Sequence, residues 1–266
     1  MKPLRKEAFA QPAPADPPPS RVFGNTIIAV PHPGEMQQLC LDDGGTGWPQ
    51  PGGQKLFKIR LADSVTGHRK SASFLVKRRY AWRGYDVGGG VLGVQPNRIT
   101  LSACDRDETI ATISVGLDSV IGLFVDQLYR KEVDRVRAQY RRVCEFTKLA
   151  IDGSIRSKQV LASLFHIAYI HARRVNYCTD LFVEVNPRHV LFYKRMLGFA
   201  QCGAERLDPR VQAPAVLLRL DLGFAEQQIA ELGGHLELAR VKKSLYPYFF
   251  SRREEAGIER RLRQLG

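Results

Sequence analysis

The chain has 266 residues, 44% of them hydrophobic, enough for one large domain or two small ones. Lysine and arginine total 40 against 27 acidic residues, and the formal charge of +13 points to an acidic partner: nucleic acid, an anionic membrane or an acidic protein. No apolar run reaches the ~18 residues of a membrane span, and no hydrophobic segment follows the basic N-terminal residues as in a signal peptide. The cysteines (Cys40, Cys104, Cys144, Cys178, Cys202) are odd in number with no C-x-x-C, so they read as reduced cytosolic thiols and not as a disulfide framework.

Residues 1–54 read as a disordered tail. QPAPADPPPS is proline-rich and DDGGTGWPQPGG is glycine-rich, and neither buries enough to offset its ordering entropy. One apolar island, Asn25–Val30, stands inside the tail as a candidate for docking. Order is expected from Lys55, where LFKIRLAD alternates as a strand does. Asp63 or Ser64 can cap the next helix, which runs to about Gly84 and carries His68, Arg69, Lys70, Lys77, Arg78, Arg79 and Arg83. Tyr85–Pro96 is a glycine-rich loop without G-x-x-x-x-G-K-[ST], so it is not a P-loop. Arg98–Cys104 and Glu108–Val115 are expected to pair as a hairpin around Asp105-Arg106-Asp107.

Next, Val125, Leu128, Tyr129, Val133 and Val136 share one helical face. In VCEFTKLAID, alternation puts Glu145, Thr147 and Leu149 on one face of a strand and Phe146, Lys148 and Ala150 on the other. Ser157 can cap a helix whose apolar stripe runs from Val160 to Ala172. LFVEV reads as a buried strand. Asn186 then sits where an N-cap belongs, and Pro187 sits at the first helical position. His189, Phe192, Tyr193 and Met196 follow on one face, and Gly198 supplies a left-handed stop. Two strands, Ala200–Arg206 and Ala215–Asp221, are joined through DPRVQAP. Residues 226–266 read as a basic helical extension with a helix at Glu226–Gly233 and an aromatic cluster of Tyr246, Tyr248, Phe249 and Phe250. Over residues 55–225 the order β α β β α β α β α β β gives an α/β (α+β) fold, a mixed central sheet flanked by helices.

Three of these segments carry a resemblance. N-P-x-H-x-x-x-Y-x-x-x-x-G-F at Asn186–Phe199 resembles the last conserved segment of the GNAT acyltransferase superfamily. E-F-T-K-L-A-I-D at Glu145–Asp152 resembles the E-x-T/S-R-x-A-x-D segment of acyl-homoserine-lactone synthases, and V-Q-A-P-A-V-L-L on the last strand is similar to the same families. Over about residues 56–222 the chain most resembles the long-chain N-acyl amino acid synthases. The resemblance implies the GNAT fold, in which two neighbouring parallel strands, here Glu145–Ile151 and Leu181–Val185, splay around a pantetheine arm. It implies that Leu149, Ala150 and Ile151, with Asn186, hold that arm, and that Tyr193 protonates the leaving thiolate. It makes Glu145 the base: aminolysis needs a neutral amine, and a carboxylate is a reasonable acceptor for its proton. Thr147, Lys148 and Arg79 become contacts to the acceptor substrate, with Lys148 replacing the arginine of the related motif.

The phosphate end departs from the acetyl-CoA enzymes, which resemblance would give R/Q-x-x-G-x-G/A. IDGSIRSKQV lacks those glycines, while Arg156, Lys158 and the N–H groups at Ser157 suit a single phosphate. This agrees with the acyl-phosphopantetheine of an acidic acyl carrier protein as co-substrate, with acyl-CoA as the alternative, and with no permanently bound cofactor or metal. The implied reaction moves a long-chain fatty acyl group to the α-amine of an amino acid. The alternatives are an acyl-homoserine-lactone-type synthase and an acyl-CoA-dependent N-acyltransferase. The basic residues are dispersed over several elements rather than striped with aromatics, so no nucleic-acid partner is expected. The basic, aromatic C-terminal segment suits peripheral contact with a membrane surface, which gives a cytoplasmic location at the inner membrane face.

Overall fold

A computed structural model describes residues 26–31, 56–62, 68–82, 95–105, 108–153, 155 and 157–265. A nine-stranded sheet forms its centre. The strands are β1 (Thr26–Pro31), β2 (Leu56–Leu61), β3 (Arg98–Asp105), β4 (Glu108–Leu117), β5 (Val143–Ile151), β6 (Asp180–Val185), β7 (Ala200–Gln201), β8 (Arg206–Asp208) and β9 (Ala213–Asp221). Their order is β1-β2-β3-β4-β5-β6-β9-β7, with β8 also on β9. Among the described strands, β5 and β6 form a parallel pair and every other pair is antiparallel. The apolar island of the tail is β1, and its Ile27 and Val30 enter the core.

Two helices pack on one face. α1 (His68–Ala81) buries Ala72, Leu75 and Val76 against Ala150, and α2 (Asp126–Arg137) buries Tyr129, Val133 and Val136 against Val143, Phe182 and Leu217. On the other face lie α3 (Lys158–Tyr169) with its π-helical continuation Ile170–Val175, α4 (Val190–Leu197), α5 (Leu222–Leu232) and α6 (Arg252–Leu265). Ser157 caps α3 by accepting from the Val160 N–H at 3.3 Å. Asn186 caps the 3-10 turn Pro187–His189 that leads into α4, and Gly198 ends α4 at φ 81.

Several boundaries differ from expectation. α1 ends at Ala81, and its candidate caps, residues 83–84 and residues 85–94 of the glycine-rich loop lie outside the described residues. The strand expected over Ala200–Arg206 is split into β7 and β8. The break falls where the Tyr129 ring crosses Gly203, leaving 2.8 Å where a Cβ would stand. Of the four C-terminal aromatics, Tyr246, Phe249 and Phe250 are buried and Tyr248 is half-buried, and the Tyr246 hydroxyl donates to the Leu197 carbonyl at 2.7 Å. The three buried side chains belong to the core rather than to a surface available to a membrane.

Candidate active site

The site begins where the parallel pair comes apart. β5 and β6 are registered over only three residue pairs, Val143 with Asp180, Cys144 with Leu181 and Glu145 with Phe182. Beyond that point β5 continues along β4 while β6 continues along β9. The edges of Phe146–Ile151 and Val183–Val185 that face each other are left to line a gap.

β5 also carries a bulge. Its register with β4 shifts between Thr112 and Ser114, and Lys148 sits at φ 54, a left-handed conformation unusual for a residue with a Cβ. The Thr112 hydroxyl donates to the Lys148 carbonyl at 3.0 Å. The extra residue breaks the expected alternation. Ala150 joins the α1 face and Leu149 turns with Phe146 and Ile151 to the other face, where simple alternation had placed Leu149 with Thr147. Bulges of this kind re-aim the strand beside a site.

A cavity of about 590 Å³ fills the gap, within the ~300–1,000 Å³ range of small-molecule sites. It brings together Tyr193, Thr147, Lys148, Leu149, Ala150, Ile151, Asn186 and Arg79 of the sequence-derived candidates. Phe146, Leu161, Val183, Val185 and Phe192 add apolar wall. Tyr193 is buried, with Phe165, Phe192 and Phe199 set edge-on around its ring at 6.1, 5.5 and 5.3 Å. Packing of this kind fixes the ring and so the direction of the hydroxyl.

Glu145 lies elsewhere, fully buried and outside the cavity lining. Its carboxylate pairs with Arg98 and accepts the Phe124 and Val125 N–H groups at 2.8 and 2.9 Å, just before α2. Arg98 reaches it from two strands away, across Gly116, which is in register with both residues. The Arg98 guanidinium also donates to the Thr147 hydroxyl at 2.9 Å and lies 4.0 Å from the centre of the Phe124 ring, with the Lys148 ammonium at 5.4 Å from the same ring. The unit holds Phe124, a cavity-lining residue, in place.

Two carboxylates do line the cavity, Glu184 of β6 and Asp208 of β8. One oxygen of Glu184 pairs with Arg210 in the β8–β9 turn, and the other, Oε1, is buried without a hydrogen-bond partner. Arg210 is itself clamped by Asp208, with Nε and Nη2 both at 2.8 Å, and donates to the Phe124 carbonyl at 3.1 Å. Burial raises the Glu184 carboxyl to about 7 against the opposing pull of Arg210, and the nearby carboxylates Asp208 and Glu145 push it the same way. Sequence reasoning missed Glu184, Asp208 and Arg210. The signal for Glu184 is a lone carboxylate in the otherwise apolar LFVEV strand.

Arg79, expected from the sequence to contact the acceptor, stands instead at the opposite end beside Gly153, its Nη1 2.9 Å from where a Cβ would be, just past the end of β5. Lys158 opens α3 and lies 5.9 Å from the Tyr248 ring centre. Arg156 lies outside the described residues.

A sheet that splays at one parallel pair, a bulge on the first splayed strand and a capped helix after the second define a GNAT-fold acyltransferase. The family model described as "N-acyl amino acid synthase FeeM" matches residues 71–221. The chain belongs to this family of N-acyl amino acid synthases and is an acyltransferase. It is similar to the structure of FeeM, an N-acyl amino acid synthase from uncultured soil microbes, at 25% identity and a TM-score of 0.60, over 65% of this chain and 96% of that one. Weaker similarity extends to the acyl-homoserine-lactone synthase LasI (13% identity, TM-score 0.43, covering 63% and 91%). It extends also to an acyl-CoA N-acyltransferase from Pseudomonas aeruginosa (15% identity, TM-score 0.43, covering 61% and 97%). No curated protein sequence matches the chain.

Proposed function

We propose that this acyltransferase moves a long-chain fatty acyl group from acyl carrier protein to the α-amine of an amino acid. The observation that carries the reading is the cavity at the β5–β6 splay, apolar along Phe146, Leu149, Val183, Val185 and Phe192 and polar around Glu184 and Lys148. A pantetheine arm bonds to the free edge of β5 at Leu149–Ile151 and to Asn186, and the acyl chain runs along the apolar wall. The amino acid enters from the face that α1 and α2 cover, its carboxylate toward Lys148 and Thr147. Backbone N–H groups freed at the bulge stabilise the oxyanion, a contribution on the order of 3 kcal/mol per donor. The Tyr193 hydroxyl gives its proton to the departing thiolate.

A single phosphodiester suits the donor end better than a pyrophosphate. Arg79 and Lys158 supply cations there, and the segment after β5 lacks the repeated glycines that let a backbone wrap a pyrophosphate. An acidic carrier protein also suits a chain of charge +13. The test is product mass spectrometry with a pool of amino acids and a long-chain donor presented on carrier protein or on CoA. An N-acyl amino acid formed from the carrier-bound donor alone is the expected result. Product from acyl-CoA alone would overturn the donor assignment, and no product from either would overturn the reaction.

A further inference from the structure

We infer that Glu184 is the catalytic base that takes the proton from the acceptor amine, and that the Asp208–Arg210 pair positions it. The inference rests on the N-acyltransferase reading above and adds the residue that activates the nucleophile.

Geometry selects Glu184 over Glu145. The oxygens of Glu145 already accept from Arg98 and two backbone N–H groups, and Glu145 does not line the cavity. Glu184 lines it, with one oxygen tied to Arg210 and one buried and unpartnered. A buried acceptor without a donor is costly, and an incoming ammonium supplies that donor. The two proton-handling groups also stand on opposite faces of the splay. Glu184 follows Phe182 by two residues and shares its face with α2, while Tyr193 packs among the α3 and α4 residues of the other face. An amine attacking from the first face and a thiolate leaving toward the second fit that division.

Protons balance across the step. The ammonium gives one proton to Glu184, which releases it to water. The neutral nitrogen forms the C–N bond, the tetrahedral centre collapses and the C–S bond breaks. Of the three ammonium protons, one stays on the amide, one restores the Tyr193 hydroxyl after Tyr193 has protonated the thiolate, and one leaves through Glu184.

Titratable and charged groups face this cavity from every neighbouring element. Arg210 and Asp208 act on Glu184 from the β8–β9 turn and Glu145 from β5, while the Tyr129 hydroxyl of α2 is itself pushed up by burial and by Glu184. Lys148 of β5 and Arg79 and Tyr80 of α1 line the same cavity, as do His189 and Tyr193 beyond β6. Burial, opposed by Arg210 and reinforced by Asp208 and Glu145, brings Glu184 to about 7, where a general base works best at neutral pH.

The experiment compares full-length wild type and E184Q by steady-state aminolysis over a range of pH. Wild-type kcat/KM for the acceptor should rise through about 7 as Glu184 loses its proton. E184Q should lose roughly 10²-fold or more in kcat, keep its KM for the acyl donor and lose that acidic limb. E184Q activity within threefold of wild type, with the limb intact, would overturn the assignment. A second measurement is independent of turnover. The Glu184 carboxyl carbon, assigned in NMR spectra by its absence from E184Q, should titrate near 7 and shift when an amino acid is added to enzyme holding an acyl-pantetheine. Titration at an ordinary glutamate value overturns the base even if acylation is seen. Failure of wild type to acylate any amine strikes the N-acyltransferase reading instead, so the two failures are distinguishable.

Discussion

Glu184 and Tyr193 stand in the same cavity and were unequally legible in the sequence. Tyr193 announces itself because helical spacing and the Asn186–Pro187 cap fix which way it points. Glu184 depends on Arg210, 26 residues on and beyond α4, β7 and β8, and no local pattern links the two. Holding Glu184 near 7 has a consequence for stability. Its folded value lies above the ordinary 4.5, so its contribution is most favourable below about 4.5 and is lost as pH rises through 7. The full loss is about 3 kcal/mol. E184Q should therefore gain in urea midpoint relative to wild type at pH 8 and show no such gain at pH 4.5; equal differences at both would show that Glu184 is not strained. For Tyr193, Y193F keeps the ring and removes the proton donor. It should lower kcat roughly 10- to 100-fold in the thioester assay with little change in KM, because the aromatic cluster survives.

At the scale of elements, β5 shows what a period-two reading misses. Phe146, Leu149 and Ile151 share one face, and the uneven spacing of three then two is the mark of the inserted residue at Lys148. The strand itself was legible from its composition; the bulge depends on β4, where Thr112 takes the Lys148 carbonyl. The Arg98–Gly116–Glu145 ladder is equally non-local. A Cβ on Gly116 would stand 2.7 Å from Arg98 Nη2, so the absence of a side chain is what lets the guanidinium cross β4. G116V should push Arg98 off Glu145 and leave a buried carboxylate without its cation, at a cost on the order of 3 kcal/mol. Denaturant unfolding would measure it. The same variant should loosen Phe124 and raise KM for the amino acid, whereas an unchanged urea midpoint would show that the ladder contributes little.

Across the whole molecule, the order of most strands and helices was readable from local alternation, apolar stripes and the caps at Ser157 and Asn186, whereas the packing of the two chain ends was not. Arg261 of α6 donates to the Thr26 carbonyl of β1 at 3.3 Å, joining residues 235 positions apart. The last segment is anchored by His166 of α3, which is fully buried and stacks on Phe249 and Phe250 at 4.7 and 5.5 Å. Its Nδ1 accepts the Phe250 N–H at 2.9 Å, so Nε2 carries the hydrogen, and the Glu255 oxygen at 3.8 Å is too far to bond it. Burial, helped by the positive charge of Arg174, pushes this imidazole down to about 3. The folded value lies below the ordinary 6.5, so the stabilisation is complete above about 6.5 and drains away as pH falls toward 3. The unfolded chain takes up a proton that the folded chain refuses, worth about 4–5 kcal/mol by the bottom of that range. H166N offers Phe250 a neutral acceptor in place of Nδ1. It should cost about 1–3 kcal/mol at pH 8 through lost packing but flatten the decline between pH 6.5 and 4. Chemical denaturation at several pH values would separate the two effects: an undiminished acid slope in H166N would assign the loss to other groups, His171 first among them, since burial alone lowers it to about 4.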